Sequence, residues 1–230
     1  MQKIKILIAA LLLLIVAPLC NAVPANSSHY KPNPFPARWR ANPLYFGLQL
    51  GYGSTDWSQL VARYSTVAEY NLLSVSAPVQ AGDKGGTWGL FIGWEVQPHF
   101  AMELNFVHFP NTTIIFDPFS VYSLEHGIVT MRSYTYAYSL LGKFMVQVAN
   151  TGIRGFASAG AALIHRHDAL INTGHICPTF GVGMNYVFIY NLMLEVGFQY
   201  YAGYGKAVLR PAINYIPFLY SIHLKLAYRI

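Results

Sequence analysis

The sequence predicts an all-β protein, an eight-stranded antiparallel up-and-down transmembrane β-barrel, and three observations support this fold class. Only 10% of the 230 residues are charged and 15% are aromatic, whereas soluble domains usually carry about 25% charged residues. Apolar residues alternate with small or polar ones through most of the chain, with the two-residue period of strands that have two different faces. The connections between these segments are short and long in turn, as in barrels that cross a membrane.

The N-terminus has the pattern of a signal peptide. Lys3 and Lys5 provide a positive start, the apolar segment from Ile6 to Leu19 follows, and Ala22 and Ala25 are candidate cleavage points. An uncleaved N-terminal anchor is an alternative interpretation of the same segment. We therefore expect the mature N-terminus to lie between residues 21 and 26.

The chain divides into three expected parts. These are a signal peptide over residues 1–22, a proline-rich N-terminal arm over residues 23–43 and the barrel over residues 44–230. After the signal peptide, no apolar run approaches the roughly 20 residues that a spanning helix needs, so a membrane protein of this sequence must cross as a closed barrel. Cys20 leaves a lipoprotein open as an alternative. Cys177 is then the only cysteine of the mature chain, which excludes an intramolecular disulfide and a cysteine-based metal site.

Eight segments are predicted strands, and in seven of them one face is apolar and aromatic. The fifth segment, Ile153–Ile164, consists mostly of small residues, and its faces are not assigned. A polar interior with the apolar faces in lipid is the interpretation that the composition favours, and a soluble lipocalin-like barrel with inverted faces is the alternative. The apolar faces comprise Phe46, Leu48, Leu50 and Tyr52; Trp88, Leu90, Ile92, Trp94 and Val96; Met102, Leu104 and Phe106; Tyr134, Tyr136, Tyr138, Leu140, Phe144 and Val146; Phe180, Val182, Met184 and Tyr186; Leu192, Leu194, Val196, Phe198 and Tyr200; and Ile222, Leu224, Leu226, Tyr228 and Ile230.

The connections alternate in length along the chain. Tight turns are predicted at residues 97–99, 150–152 and 189–191, and long links at residues 55–86, 111–132, 166–176 and 203–217. Short periplasmic turns and long extracellular loops are typical of outer-membrane barrels, so both ends of the barrel are expected on the periplasmic side. The first long link is apolar for a loop and can extend strands, cap the barrel or bind a partner. Its apolar residues are Trp57, Leu60, Val61, Tyr64, Val67, Leu72, Leu73 and Val75.

Several segments resemble the OmpA-like transmembrane β-barrel family. The run YFGLQLGYG from residue 45 resembles that family's first strand, and GLFIGWEVQPHFAMELNF from residue 89 resembles its second hairpin. The stretches NTGIRGFASAGAAL and FGVGMNYVFIYNLMLEVGFQYY resemble its third and fourth hairpins. The closing IHLKLAYRI resembles the terminal strand that the barrel-insertion machinery recognises, with Tyr228 at the aromatic position and Ile230 where Phe is usual.

This resemblance covers residues 44–230 and implies a location as well as a fold. The expected location is the outer membrane of a Gram-negative-type bacterium after signal-peptide export. The expected partners are outer-membrane lipid and lipopolysaccharide, and the barrel-insertion machinery during biogenesis.

Without Lys3 and Lys5 the net charge falls from +6 to +4, and the scattered distribution of the charges does not indicate nucleic-acid binding.

Three acidic and three basic residues share the predicted inward face. Charges removed from water need partners, so a charge network is expected there, with Glu195 and Lys225 paired across neighbouring strands. The network is interpreted as a polar plug, with a gated pore lining as the alternative, because side chains about fill an eight-stranded barrel. Its members are Glu95, Glu103, Lys143, Glu195, Lys225 and Arg229.

Two histidine groups are candidates for chemistry. His165, His167 and His175 flank the third long link, and such a pattern can bind a transition metal, although a solvated loop is the simpler interpretation. His108 lies on the apolar side of its strand, where lipid A-modifying barrels place a catalytic histidine. Ser139 falls on the opposite parity, so no Ser–His site is predicted, and no metal, cofactor or catalytic residue is assigned.

The function predicted from the sequence is non-enzymatic. It is an integral outer-membrane barrel that contributes to envelope integrity, with surface interactions through its long loops as an additional role. A channel for small solutes or hydrophobic molecules is the first alternative, and a lipid A-modifying enzyme is the second. The sequence identifies neither a surface partner nor an oligomeric state.

Overall fold

The computed structural model describes residues 43–57, 78–116, 118, 123–124, 127, 129–148, 152–169, 172–189, 191–204 and 215–230. All of them belong to one structural unit, Pro34–Ile230. The predicted signal peptide and, apart from Pro43, the N-terminal arm lie outside the described residues. No helix formed by the described residues is long and apolar enough to span a membrane.

The described residues form ten strands, and eight of them close into a barrel. The ring runs β1, β3, β4, β6, β7, β8, β9, β10 and back to β1, with every neighbouring pair antiparallel. Closure leaves no free edge in the ring, so backbone donors and acceptors pair between strands. The predicted eight-stranded up-and-down barrel is therefore confirmed. The strands are β1 (Leu44–Asp56), β2 (Pro78–Gly82), β3 (Lys84–Gln97), β4 (Phe100–His108), β5 (Thr112–Phe116), β6 (Thr130–Gln147), β7 (Ile153–His167), β8 (Asn172–Ile189), β9 (Leu192–Tyr201) and β10 (Phe218–Arg229).

The strands extend further than the apolar alternation indicates. The predicted long link 55–86 contains β2 and the beginning of β3, and the link 111–132 contains β5 and the beginning of β6. The predicted link 166–176 is wrong as a long loop, because β7 continues to His167 and β8 begins at Asn172. Backbone pairing is favourable whatever the side chains, so the ladder continues where the alternation of apolar side chains has already ended.

The two faces of the wall differ as the sequence predicts, with the apolar side chains outward. On β1, Leu48 and Leu50 are 61% and 64% exposed, while Gln49 between them is 2% exposed. The fifth predicted strand, β7, can now be assigned: Arg154, Phe156 and other alternate residues as far as Arg166 point inward. An apolar exterior around a polar interior is the arrangement of a barrel in lipid, and it excludes the soluble barrel with inverted faces.

The interior also contains apolar side chains, in two clusters. The lower cluster lies toward the end of the barrel that carries the short turns, and the upper cluster lies toward the long connections. The lower cluster comprises Tyr45, Phe91, Ala101, Met145, Phe156, Met193 and Ala227. The upper cluster comprises Val107, Phe109, Ala137, Ala162, Ile164, Cys177, Tyr201, Ile216 and Leu219.

A third group of apolar side chains packs with the small sheet formed by β2, β5 and the first residues of β6. We call this group the cap, and it lies at the end of the barrel with the long connections. Of the apolar residues predicted for the first long link, only Trp57 is described, and it is buried in the cap. The cap comprises Trp57, Ile114, Phe116, Met131 and Tyr215.

Candidate functional site in the barrel interior

Four buried charged residues from four strands form one cluster, which we call the tetrad. They are Glu103 on β4, Lys143 on β6, Glu195 on β9 and Lys225 on β10, and none is more than 3% exposed. Lys143 Nζ lies 2.9 Å from Glu103 Oε2 and 2.6 Å from Glu195 Oε2. Lys225 Nζ lies 2.5 Å from Glu103 Oε1 and 3.4 Å from Glu195 Oε1. Each ammonium group therefore contacts both carboxylates.

The strand register explains why these residues meet. Glu195 and Lys225 are directly paired across β9 and β10, as the sequence predicts. Glu103 and Lys143 come from the opposite side of the ring, and the barrel is narrow enough for their long side chains to cross it. The predicted Glu195–Lys225 pair is thus one contact within a four-residue cluster, and the shorter contact of Lys225 is with Glu103.

Aromatic rings complete the surroundings of the tetrad. Lys143 Nζ lies 4.3 Å from the centroid of the Phe156 ring, and Lys225 Nζ lies 4.8 Å from that of Phe91. Tyr45 donates a hydrogen bond of 3.0 Å to Glu103 Oε2. A Cβ atom at Gly93 would overlap the Tyr45 ring, so glycine at this position makes room for it. Two acids and two bases with these contacts compensate the loss of hydration that burial costs.

A second charged cluster, which we call the triad, lies nearer the short turns. Arg154 Nη2 and Arg229 Nη1 lie 2.6 Å and 2.7 Å from Glu95 Oε1, and Arg229 Nη2 donates to Glu95 Oε2 at 3.1 Å. Arg154 Nε also donates to Asn185 Oδ1 at 3.1 Å. The six predicted charged residues are therefore brought together in two clusters, four in the tetrad and two in the triad.

Arg154 completes the triad and was not predicted from the sequence. The middle of its strand is rich in alanine and glycine, and the apolar alternation that orients the other strands is absent there. The available signal was parity: Arg154, Phe156 and Ser158 alternate with small residues, and all three point inward. Counting from the preceding turn would have placed the guanidinium in the interior.

A buried arginine connects the barrel to the cap and was also missed. Arg166 Nη2 lies 2.6 Å from Asp168 Oδ2, and its Nη1 donates to the backbone oxygen of Tyr215 at 2.7 Å. Its guanidinium lies 4.6 Å from the Trp57 ring, which contacts the Tyr215 ring edge-on at 5.7 Å. Burial, reinforced by the nearby Asp56 carboxylate, raises the pKa of Tyr215 to about 12. Among the described residues, packed and paired side chains therefore lie across the long-connection end.

The histidines singled out in the sequence all face outward or lie at the rim. His108 stacks on Trp88 and His165 stacks on Tyr136, with ring centroids 5.5 Å and 4.9 Å apart. His175 stacks on Tyr204 at 4.2 Å, and His167 lies beside Tyr134. Within the described part of the chain, no three His, Cys, Asp or Glu residues are grouped as metal ligands would be.

The two residues considered for a hydrolase site lie on opposite sides of the barrel wall. His108 is on the outward face of β4, while Ser139 on β6 is buried in the interior. The backbone of the wall separates them, so they do not form a Ser–His pair.

Comparisons with known proteins find the fold but no sequence relative. No protein-family model and no curated protein matches the sequence. Among solved structures, the outer membrane protein OprG from Pseudomonas aeruginosa is similar with a TM-score of 0.53 and 11% identity, over 82% of this chain and 96% of that one.

Two further solved structures are similar over most of their length. Neisserial surface protein A gives a TM-score of 0.48 at 11% identity, over 81% of this chain and 97% of that one. The N-terminal barrel domain of Pseudomonas aeruginosa OprF gives 0.47 at 12% identity, over 82% and 98%. Together with the closed ring and the apolar exterior, the likeness to OprG leads to one conclusion: this chain has the fold of a small outer-membrane-type transmembrane β-barrel.

Proposed function

We propose that this protein is a non-enzymatic integral barrel of the outer membrane that contributes to envelope integrity and is closed to solutes. Its outward face supports the membrane location, because an exposed apolar and aromatic wall of this extent is unfavourable in water. The burial of the tetrad supports an interior from which bulk water is excluded.

The observation that carries the proposal is the filling of the interior. Along the barrel, the triad, the lower apolar cluster, the tetrad, the upper apolar cluster and the cap contribute buried side chains among the described residues. A hydrated ion passing through would have to displace the paired charges of the tetrad, and an apolar molecule would also meet them. Such a barrel holds its place in the membrane without an open path.

Export and insertion are part of the same proposal. Residues 1–22 would direct export, and the end of β10 would be recognised by the barrel-insertion machinery. Tyr228 and Ile230 are both exposed on the outside of the wall, where another protein can contact them. Outer-membrane lipid and lipopolysaccharide would then surround the apolar exterior.

Single-channel recording of the purified barrel in planar bilayers tests the closed state. We expect no conductance above the lipid background for the unmodified protein. A deletion strain should be more sensitive to detergents than its parent, and the gene supplied in trans should restore resistance. Stable conductance steps from the unmodified protein would contradict the proposal.

A gated channel is the second candidate function, and the shared contacts of the tetrad favour it. Because Lys143 and Lys225 each contact both carboxylates, one ammonium can leave while the other still pairs with an acid. A channel of this kind would conduct more often when Lys143 is replaced by Met.

Lipid A mass spectrometry of the deletion strain tests for a lipid A-modifying enzyme, and we expect an unchanged lipid A profile.

A further inference from the structure

The outward face of β3, β4, β6 and β7 carries a row of aromatic and histidine rings near the end with the long connections. Trp88 pairs with His108, His108 with Tyr136, and Tyr136 with His165, so the register alone aligns the four residues across neighbouring strands. Both histidines stack face to face on an aromatic ring. Nδ1 of His165 is buried and has no hydrogen-bond partner among the described residues, so the row presents ring surface rather than this nitrogen to a ligand.

An apolar groove of about 600 Å³ lies immediately below this row. Its wall consists of the next two register rows, which begin with Leu90–Phe106 and Ile92–Leu104. Where the second row reaches β7, Ala161 stands between Leu140 and Pro178, and its small side chain leaves the surface concave. The groove lies within the band of the barrel that faces lipid, and its apolar lining suits a hydrocarbon chain.

An imidazole and, beyond it, a guanidinium lie above the ring row. His167 pairs with Tyr134 in the next register row, and Arg132 is exposed two residues further along the same face of β6. Among the described residues of β3, β4, β6, β7 and β8, no acidic side chain lies on the outward face, since Glu95 and Glu103 both point inward. From the membrane centre toward the surface, this face therefore presents the apolar groove, then the ring row and then the guanidinium of Arg132.

We propose that this face binds a phosphorylated, acylated glycolipid of the outer leaflet, of the lipid A class. An acyl chain lies in the groove, the saccharide lies against the ring row, and a phosphate contacts Arg132 and His167. A guanidinium is a strong donor to phosphate oxygens, an imidazole N–H also donates hydrogen bonds, and the amphipathic rings suit the membrane–water interface. The end with the long connections is the outer-leaflet end because short turns mark the periplasmic side, so this inference rests on the proposed function.

Competitive lipid retention, measured by native mass spectrometry on the detergent-purified barrel, tests the site. The probes are bis-phosphorylated lipid A, the same lipid after removal of both phosphates, and phosphatidylglycerol. We expect selective retention of the phosphorylated glycolipid by the unmodified protein. Arg132→Gln should lower that retention about tenfold, because a charged hydrogen bond is lost, and should leave the dephosphorylated lipid unaffected.

The groove is tested separately by Ala161→Phe, which fills it from the floor. This variant should lower the retention of both glycolipids, whereas Leu224→Phe, on the outward face of β10 across the ring, should retain lipid A as the unmodified protein does. Equal retention of the three probes by the unmodified protein, or equal effects of Ala161→Phe and Leu224→Phe, would overturn the site and indicate only a general lipid coat. Recovery of the protein outside the outer-membrane fraction would instead overturn the proposed function.

Discussion

At the scale of single residues, the stability lost by removing one charge of the tetrad depends on whether an opposite charge is removed with it. Lys225→Met leaves two carboxylates with one ammonium group, and breaking a buried ion pair in this way costs about 3–5 kcal/mol. Lys225→Met combined with Glu195→Gln leaves Glu103 and Lys143 as an intact pair at 2.9 Å. The double variant should therefore be more stable than the single Lys225→Met variant.

Urea unfolding in lipid vesicles measures both variants and the single Glu195→Gln variant in one double-mutant cycle. We expect a coupling free energy well above the scatter of additive mutations, which is about 0.3–0.5 kcal/mol. Simple additivity would show that the four side chains do not act as one cluster.

Tyr215 predicts a loss of stability at alkaline pH. Its pKa is raised to about 12 by burial and by Asp56, while the pKa of an unfolded tyrosine is about 10. The neutral phenol is favoured in the folded protein, so its contribution is fully present below about pH 10 and is lost as the pH rises toward and through 12. Tyr215→Phe should reduce the alkaline shift in the unfolding midpoint, followed by tryptophan fluorescence. An unchanged shift would assign it to other groups.

At the scale of elements, the strands present two environments that a charge distinguishes. Val196 on β9 is outward and exposed, and arginine at such a position near the membrane midplane costs about 2–4 kcal/mol. His167→Arg is the matched control, because that residue faces outward near the end of β7, beyond the apolar rows. Folding titrations in vesicles should show a large effect for Val196→Arg and a small one for His167→Arg. The reverse order would contradict the placement of the lipid band.

Gln199, on the inward face of the same strand, is a poorer control than its polarity indicates. Its Nε2 donates to Thr179 Oγ1 at 2.6 Å, and its Oε1 lies against Gly181. Arginine there would overpack the interior, so a cost would not report on lipid.

Strand faces were predictable where bulky apolar residues alternate with small or polar ones, and the register then determines which inward charges meet. The prediction was incomplete on β7, where alanine and glycine carry no such contrast, and so Arg154 was missed. It was also incomplete above the apolar band, where hydrogen bonding between backbones, and not side-chain polarity, extends β7 and β8. The Arg166 contacts with Asp168 and Tyr215 depend on distant segments that no local pattern brings together.

At the scale of the whole molecule, the interior and the exterior differ in polarity and in the environment that each faces. On the described strands of the ring the exterior is apolar and aromatic and includes the concave groove beside Ala161, and the interior is a sequence of paired charges and apolar clusters. Neither half of the pattern is meaningful without the other, because a charged core requires a wall that excludes water and a lipid-facing wall requires a closed ring.

The start of the first strand and the end of the last strand meet, since the backbone nitrogen of Ile230 donates to the backbone oxygen of Leu44 at 2.8 Å. The ring of strands is therefore a circle on which the starting point is arbitrary. A circular permutant that joins Ile230 to Leu44 through a short linker and opens the chain between β6 and β7 would keep every strand pair of the ring. We expect it to refold in vesicles like the parent protein. In cells the permutant should assemble poorly if Tyr228 and Ile230 must be terminal to be recognised by the barrel-insertion machinery. Normal assembly of the permutant would show that β10 is needed for closure of the ring and not for recognition at the chain end.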